Sequence, residues 1–373
     1  MVIALLYLPP WTVDYAAMFF CLLALRSMTA KMQPVWARWL IFSFLSAILI
    51  VGLSMGYYRI AAVVPNQVSA LMQVMGLVLG GIILGTRVLW WFWDRIPFEP
   101  RRRELLKTAS VAAPALVLGT AFVKRDDLQY REVEIAIPGL AKDLHGLRIV
   151  QISDLHLSPL VQESLVARAV DLANSTKAHI ALITGDLISR RGDPLDACLR
   201  QIARLRADAG VLGCMGNHEI YADSEDYTEQ EAARAGIDFL RQRNRVLRFG
   251  TASLNFAGVD YQSKRLGPYL TDAEKLIVPG ITNVLLSHNP DVFPVAAQKG
   301  FALTFAGHTH GGQVNVEILK QNLNVARFYT PYVEGLYREG NSSVFVTRGV
   351  GTVGLPARLG APPEVALIKL CAT

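Results

Sequence analysis

The sequence predicts a water-soluble α/β domain preceded by an α-helical membrane region of three to four transmembrane helices. The chain has 373 residues, of which 52% are hydrophobic and 18% charged, and this is too apolar for an ordinary soluble protein. Lys and Arg number 37 and Asp and Glu 31, yet only six of these charged residues lie within positions 1–93. Beyond position 131, short apolar runs alternate with amphipathic stretches, which is typical of α/β architecture. We therefore expect a membrane region over 1–125 and a soluble domain over 126–373.

Apolar segments define the predicted membrane region. The hydrocarbon core of a bilayer takes about 20 residues of helix to cross, and the segment between Arg38 and Arg59 has that length without a charge. Pro9 and Pro10 interrupt the first apolar segment, so we expect a kinked helix there. The predicted spans lie near residues 2–25, 39–58, 68–93 and 105–123.

The last of these segments has two interpretations. The run Arg101-Arg102-Arg103 and the uncharged stretch 108–123 behind it resemble a twin-arginine export signal, with Leu105 where that pattern usually has Phe. Such signals are normally N-terminal, and the alternative is a fourth transmembrane helix with a basic cytoplasmic flank. Both interpretations predict a membrane crossing at this point.

Basic residues between the spans predict the orientation of the chain. Segment 26–38 contains three, segment 57–67 contains only Arg59, and segment 94–107 contains five. By the positive-inside rule, the first and third of these segments are cytoplasmic. A fourth crossing then places residues 124–373 outside the cytoplasm, whereas a fourth segment lying along the membrane surface would leave the domain inside.

The soluble domain is expected to contain buried parallel strands that end at polar residues. In open α/β sheets, ligands bind just beyond the carboxyl ends of the strands. Predicted helices lie near 161–174, 194–207 and 291–298. The predicted strands are 147–152, 180–184, 211–215, 284–287 and 303–306.

Polar clusters that follow these strands have the composition of a metal site. They are Asp154-Leu155-His156, Gly185-Asp186, Gly216-Asn217-His218-Glu219, Ser287-His288-Asn289 and Gly307-His308-Thr309-His310. Oxygen ligands mixed with imidazole suit Mn²⁺, Fe, Zn²⁺ or Co²⁺. Two such cations about 3.5–4 Å apart can clamp a phosphate and activate the hydroxide that attacks it. We expect two divalent ions, with Mn²⁺ as the preferred metal.

The order and spacing of these clusters resemble the calcineurin-like metallophosphoesterase superfamily, whose pattern is D-x-H, G-D, G-N-H-(D/E), H and G-H-x-H. The resemblance covers about 145–373, and Gly311-Gly312-Gln313 with the 348–364 region is most similar to the membrane-bound or exported bacterial branch of YkuE/YaeI-like proteins. It implies a four-layer αββα sandwich that hydrolyses phosphoric esters or anhydrides. It also implies the bacterial inner membrane as the location, with the domain extracytoplasmic on the argument above.

The resemblance also implies roles for individual residues. One ion would be held by Asp154, His156 and His310, the other by Asn217, His288 and His308, with Asp186 bridging them. His218 would face the phosphate and protonate the leaving group or stabilise developing charge, as a general acid does. Glu219 would stand behind His218 and orient it. Arg348 and Arg358 are candidates for substrate binding, because a guanidinium group can hold a phosphate through two parallel hydrogen bonds.

These observations predict a membrane-anchored dinuclear phosphoesterase that hydrolyses a phosphodiester, pyrophosphate or phosphomonoester at the cell envelope. The membrane region is compatible with a lipid-linked substrate. One alternative is a cytoplasm-facing UDP-2,3-diacylglucosamine pyrophosphatase of lipid A synthesis. Another is a non-catalytic membrane-bound binding module, which the complete set of motif residues disfavours. From position 124 onward the charge is balanced, with 27 residues of each sign, so nucleic acid is not an expected partner.

Overall fold

The computed structural model of the chain describes residues 10–30, 41–43, 45, 46, 48, 50, 66–97, 99–318 and 321–373. The chain forms two compact units, Met1–Thr120 and Ala121–Thr373. The first unit is helical and the second contains the sheets, so each is described by itself.

The first unit contains helices α1 (Pro10–Thr29) and α2 (Asn66–Arg95), and α3 (Pro100–Val123) begins in it. Cys21, Ala24 and Leu25 of α1 pack with Ile83 of α2 in a small apolar cluster. Pro100 opens α3, and its fixed φ suits the first position of a helix.

These helices include much of the predicted membrane region. Helix α1 covers residues 10–25 of the first predicted span, α2 covers the span 68–93, and α3 covers the span 105–123. The span near 39–58 lies outside the described residues except for seven positions between 41 and 50. Among the residues that the structure describes, no helix has both the length and the hydropathy needed to cross a membrane.

The second unit is built on two mixed six-stranded sheets. Neighbouring strands of the first sheet are, in order, β1 (Gln129–Ile137), β14 (Glu364–Ala372), β2 (Arg148–Ile152), β3 (Ile180–Thr184), β4 (Val211–Cys214) and β5 (Ile237–Phe239). Those of the second sheet are β12 (Gly335–Glu339), β13 (Ser342–Val346), β9 (Leu303–Ala306), β8 (Thr282–Leu286), β7 (Ala252–Gly258) and β6 (Arg243–Phe249). A separate hairpin pairs β10 (Asn315–Ile318) with β11 (Gln321–Asn324).

The direction of the strands determines at which edge of each sheet the carboxyl ends of the parallel strands lie. Strands β2 to β5 are parallel, and so are β7, β8, β9 and β13. Strand β14 runs antiparallel to β2 and parallel to β1, while β6 and β12 run antiparallel to their neighbours. The carboxyl ends of β2, β3 and β4 therefore meet at one edge of the first sheet, and those of β8 and β9 at one edge of the second.

The hydrophobic core lies between the two sheets. Leu182 and Leu212 of the first sheet share one buried cluster with Leu254 and Phe305 of the second. The outer face of the first sheet packs against α4 (Glu163–Ser175) and α5 (Leu195–Ile202). The outer face of the second sheet packs against α8 (Phe293–Lys299). The predicted α/β sandwich is confirmed, with helices outside both sheets.

The predicted strands correspond to β2, β3, β4, β8 and β9, and the predicted helices to α4, α5 and α8. Helix α5 ends at Ile202, five residues before the predicted end, because Arg204 and Leu205 form a turn through their backbone N–H groups. The sequence interpretation did not include the short helices α6 (Asn217–Ala222) and α7 (Glu225–Arg234) or the outer strands.

Candidate metal centre

The polar clusters meet at the carboxyl ends of the parallel strands. Asp154 and His156 follow β2, and Asp186 follows β3. Asn217 and His218 begin helix α6, three residues after β4 ends. The remaining members follow strands of the second sheet, namely His288 after β8 and His308 and His310 after β9. The structure thus brings the predicted ligands from both sheets to one place.

Much of this site has a strained backbone. Asp154, His156, Asp186, His308 and His310 all have positive φ, between 46° and 75°. Non-glycine residues adopt this region at a steric cost, and such residues cluster at functional sites. The loops after these strands therefore present their side chains in a conformation that the surrounding fold must maintain.

The candidate ligand atoms form three overlapping groups. Within each group the atoms lie within 4.8 Å of one another. Asp186 belongs to two of them, and its Oδ2 lies 2.9 Å from His288 Nε2 and 3.4 Å from His156 Nε2. The groups are Asp154 with His156 and His310, His156 with Asp186 and His218, and Asp186 with His288 and His308.

An orphaned amide oxygen supports the fit to cations. In the part of the chain that the structure describes, Asn217 Oδ1 is buried and has no hydrogen-bond partner. A buried acceptor without a partner costs about 1–3 kcal/mol, and a bound cation would remove that cost. Carboxylate, amide and imidazole donors are also the set that Mn²⁺, Fe, Zn²⁺ and Co²⁺ accept. The residues present therefore fit a pair of divalent ions.

Burial controls the protonation of the ligands. Desolvation raises the pKa of Asp154 to about 6 and lowers the pKa of His156 and of His308 to about 3. Burial also acts on His288, but Asp186 and Asp154 outweigh it and raise the pKa of His288 to about 10. Most of these imidazoles are therefore neutral, which is the state that binds a metal.

His218 is oriented by a backbone carbonyl. Its Nδ1 is in close contact with Ser189 O, so Nδ1 carries the proton and donates it, and Nε2 remains available. Its backbone N–H donates to Asp186 Oδ1 at 2.9 Å. The His218 ring stands edge-on to the His156 ring, with centroids 4.7 Å apart. The ring is thus held beside the candidate ligands by contacts on two sides.

Glu219 holds the backbone of the site and has no described contact with the His218 ring. Its carboxylate accepts hydrogen bonds from the N–H groups of Asp186 (2.9 Å), Leu187 (2.7 Å) and Gly216 (2.8 Å). The sequence interpretation expected Glu219 to orient His218, whereas the structure assigns that contact to Ser189. Gly216 is required beside it, because a Cβ there would lie 2.1 Å from Asp186 Oδ1.

The guanidinium groups of Arg348 and Arg358 have partners within the protein. Arg358 is 1% exposed and donates to the carbonyl oxygens of His310 (2.8 Å) and Arg348 (2.8 Å) and to that of Gly351. Arg348 pairs with the buried Glu364 at 2.6 Å. Both guanidinium groups hold neighbouring loops, and the expected substrate contact of these two arginines stays a prediction.

Other residues of the site were missed by sequence reasoning. Thr184 O accepts from His288 Nδ1 at 2.6 Å, and the Tyr261 ring lies 5.3 Å from the His308 ring. Carbonyl contacts such as those of Thr184 and Ser189 leave no mark in a sequence, since every residue has a carbonyl. Tyr261 could have been found only by locating strand β7, which ends three residues before it.

Comparison with known proteins gives a family match over the same region. The family model described as calcineurin-like phosphoesterase matches residues 147–312. A relative from Aquifex aeolicus named "Uncharacterized metallophosphoesterase" is 30% identical over 237 residues, covering 60% of this chain and 85% of the relative. The "Uncharacterized metallophosphoesterase YkuE" of Bacillus subtilis is 26% identical over 292 residues, covering 73% of this chain and 98% of the relative.

A longer relative is found in an animal. The "Transmembrane protein with metallophosphoesterase domain" of Danio rerio is 31% identical over 253 residues, or 64% of this chain. The match spans 56% of the length of that relative, so it extends over little more than half of the longer protein.

Proposed function

Because this chain belongs to the calcineurin-like metallophosphoesterase family and is a hydrolase with buried His/Asp metal-binding sites, we propose that it is a membrane-anchored, dinuclear phosphoesterase of the cell envelope. Its substrate is a phosphodiester, pyrophosphate or phosphomonoester, and Mn²⁺ is the preferred metal. One observation carries the proposal: Asp186 is a member of two of the three candidate ligand groups.

Two sets of residues would hold the ions, with Asp186 between them. When bound, two cations would clamp the phosphate and lower the pKa of the attacking water. The first set is Asp154, His156 and His310, and the second is Asn217, His288 and His308. Glu219 contributes by accepting hydrogen bonds from the backbone N–H groups of Asp186 and Leu187.

His218 supplies the proton chemistry in this proposal. Since Ser189 O holds the proton on Nδ1, Nε2 is the atom that exchanges a proton with the substrate. A protonated Nε2 would donate to the leaving oxygen, and Ser189 would stabilise the resulting tautomer. Next to the His308 ring, burial raises the pKa of Tyr261 to about 12, so its phenol is protonated and neutral.

The location in the inner membrane, with the catalytic unit extracytoplasmic, rests on the sequence. The apolar segments and the basic residues between them support it, and a relative from Danio rerio is named a transmembrane protein. A substrate whose phosphate is attached to a lipid would be accessible to an enzyme held at that surface.

Metal removal and replacement test the dinuclear reaction. The full chain in detergent should hydrolyse bis-nitrophenyl phosphate, lose activity on chelation and regain it with Mn²⁺. Asp186→Asn should abolish turnover while leaving the circular dichroism spectrum unchanged, because one carboxylate would serve both ions. Asp208→Asn is the matched control, since that exposed carboxylate precedes β4 at the opposite edge of the sheet.

Two outcomes of this experiment would contradict the proposal. Full activity in protein shown to be metal-free by mass spectrometry would exclude a two-metal reaction. Faster turnover of UDP-diacylglucosamine than of every phosphodiester in the same assay would favour the lipid A alternative.

A further inference from the structure

Two surface loops beside the metal centre expose large apolar side chains. We call residues 261–270 loop L1 and residues 324–330 loop L2. Leu266 in L1 is 74% exposed, and Phe328 and Tyr329 in L2 are 85% and 82% exposed. Single exposed apolar residues need no explanation, but a group of them at the entrance of a site indicates an interaction surface.

Loop L1 begins at the metal centre itself. The Tyr261 ring lies 5.3 Å from the ring of His308 and 6.1 Å from that of His288. Asn289, the neighbour of His288 in the chain, donates from Nδ2 to Gln262 O at 2.7 Å. The base of L1 is therefore fixed against the half of the site that His288 and His308 form.

Loop L2 is attached to the same part of the site. Asn324 Nδ2 donates to the carbonyl of Gly311, the residue after His310, at 2.8 Å. At the other end of the loop, Thr330 Oγ1 donates to Asp291 Oδ1 at 2.5 Å. Because L1 is held by Asn289 and L2 by Asp291, the two loops share one short anchor segment, which directly follows His288.

The charge of these loops differs from that of the unit they belong to. Lys264, Arg265 and Arg327 are exposed, and neither loop contains Asp or Glu. From position 124 onward the chain carries 27 residues of each sign, so the two loops are a local surplus of positive charge on a balanced unit. Lys264 is exposed, and its Nζ lies 5.9 Å from the Tyr269 ring centroid.

We propose that L1 and L2 form a docking surface for an anionic lipid bilayer, so that the entrance of the metal centre rests on the headgroup layer. Leu, Phe and Tyr side chains insert at the boundary between headgroups and acyl chains, while Lys and Arg pair with anionic headgroups. Each basic residue near such a surface strengthens association about fivefold. This inference rests on the proposed function, since it assigns the phosphoester substrate to the lipid layer.

Hydrogen exchange tests the docking without requiring turnover. The full chain would be reconstituted in phosphatidylcholine nanodiscs with and without phosphatidylglycerol. We expect slower amide exchange in 261–270 and 324–330 when phosphatidylglycerol is present, and unchanged exchange in the segment 203–210, which precedes β4. Lys264→Glu combined with Arg265→Glu should remove the effect, and the control Arg248→Glu, an exposed arginine of the edge strand β6, should retain it.

Two outcomes of the exchange experiment would overturn the proposal. The first is equal exchange in both lipid compositions. The second is protection that appears without anionic lipid and grows with protein concentration, because that would identify a second protein copy as the occupant.

A paired kinetic assay connects the surface to catalysis. Leu266→Ser combined with Phe328→Ser should lower hydrolysis of a nitrophenyl ester of phosphatidic acid in vesicles about tenfold, because the loss of two apolar side chains weakens insertion. Hydrolysis of water-soluble bis-nitrophenyl phosphate should stay unchanged. Val246→Ser, which removes a 47% exposed apolar side chain from β6, is the control and should affect neither substrate.

Equal loss on both esters would show that the loops support the site itself, and it would refute the docking role. If no form of the enzyme hydrolyses either ester, the proposed function fails, while the exchange experiment still decides whether the loops bind lipid.

Discussion

At the residue scale, Asp186 is held by hydrogen bonds through its side chain and through its backbone. Its backbone N–H donates to Glu219 Oε2, and its Oδ1 accepts from the backbone N–H of His218. A Cβ on Gly216 would clash with its carboxylate at 2.1 Å. The position of one oxygen atom therefore depends on three residues of the segment 216–219, and substitutions there should affect metal binding as well as catalysis.

Replacing Glu219 tests that dependence. Glu219→Gln keeps the shape of the side chain but turns an amide NH₂ toward one of the three backbone N–H groups. We expect the free energy of unfolding to fall by about 1–3 kcal/mol, the cost of an unsatisfied buried donor, together with a lower metal content. Urea unfolding and metal analysis measure both, with Glu339→Gln on the exposed end of β12 as the control. Unchanged metal content would show that Glu219 does not position Asp186.

Replacing His218 separates proton transfer from metal binding. His218→Ala should retain both ions and slow hydrolysis of an ester with an alkoxide leaving group by about 10²-fold or more, the usual contribution of a general acid. An ester with a nitrophenolate leaving group should be slowed much less, because that group leaves without a proton. Turnover of the two esters and the bound metal are measured on the same preparation. Loss of metal would instead identify His218 as a ligand.

The sequence could predict which side chains meet but not what orients them. The order of Asp154, Asp186, Asn217 and His288 after successive apolar runs indicated the carboxyl ends of buried strands. The structure brings them together there, with His288 contributed by the second sheet. The contact that orients His218 comes from the carbonyl of Ser189, and a carbonyl is common to every residue. Arg348 was assigned to substrate binding from residue type alone, and its ion pair with the buried Glu364 could not be read from the sequence.

At the scale of elements, Arg358 ties together loops that follow different strands. Its guanidinium group donates to carbonyls of the turn after β9 and of the segment after β13. Burial lowers the pKa of Arg358 to about 10, and the group stays charged at neutral pH. The loop that contains His310 is thus held from behind by a buried cation.

Removing this cation should destabilise the second unit. Arg358→Met leaves several buried carbonyls without a donor, and we expect a loss of about 3 kcal/mol. For a unit of this size that corresponds to a fall in Tm of roughly 6–12 °C. Arg338→Met, on an exposed position of β12, should leave Tm unchanged. A Tm equal to that of the wild type would mean that other groups satisfy those carbonyls.

Strands with continuous apolar sequences were predictable, and edge strands were not. Strands β3 and β4 are buried along their whole length and appear as apolar runs in the sequence. Strand β6 contains Arg243, Arg245 and Arg248 and buries only one of its seven residues, so its sequence resembles an exposed segment. It forms a strand because β7 pairs with it along seven positions, and such pairing is a tertiary effect.

At the scale of the whole molecule, orientation in the membrane is the main prediction. Alkaline phosphatase fused after Thr373 should be active in bacteria, since the positive-inside rule together with a fourth crossing near 105–123 predicts that end outside the cytoplasm. The same enzyme fused within the predicted cytoplasmic loop 94–107 is the control and should be inactive. Resistance of the catalytic unit to protease in intact spheroplasts would indicate the opposite orientation.

The pairing of β14 has a consequence for the biosynthesis of the enzyme. Residues 364–372 lie between β1 and β2 in the first sheet, although they follow those strands by more than 200 positions in the chain. A ribosome therefore releases β1 and β2 long before the strand that separates them, and contacts between distant segments form slowly. Until Ala372 has emerged, both strands expose unpaired edges that can associate with other nascent chains. The catalytic unit can complete its first sheet only after β14 has been translated, although all the candidate metal ligands precede that strand in the chain.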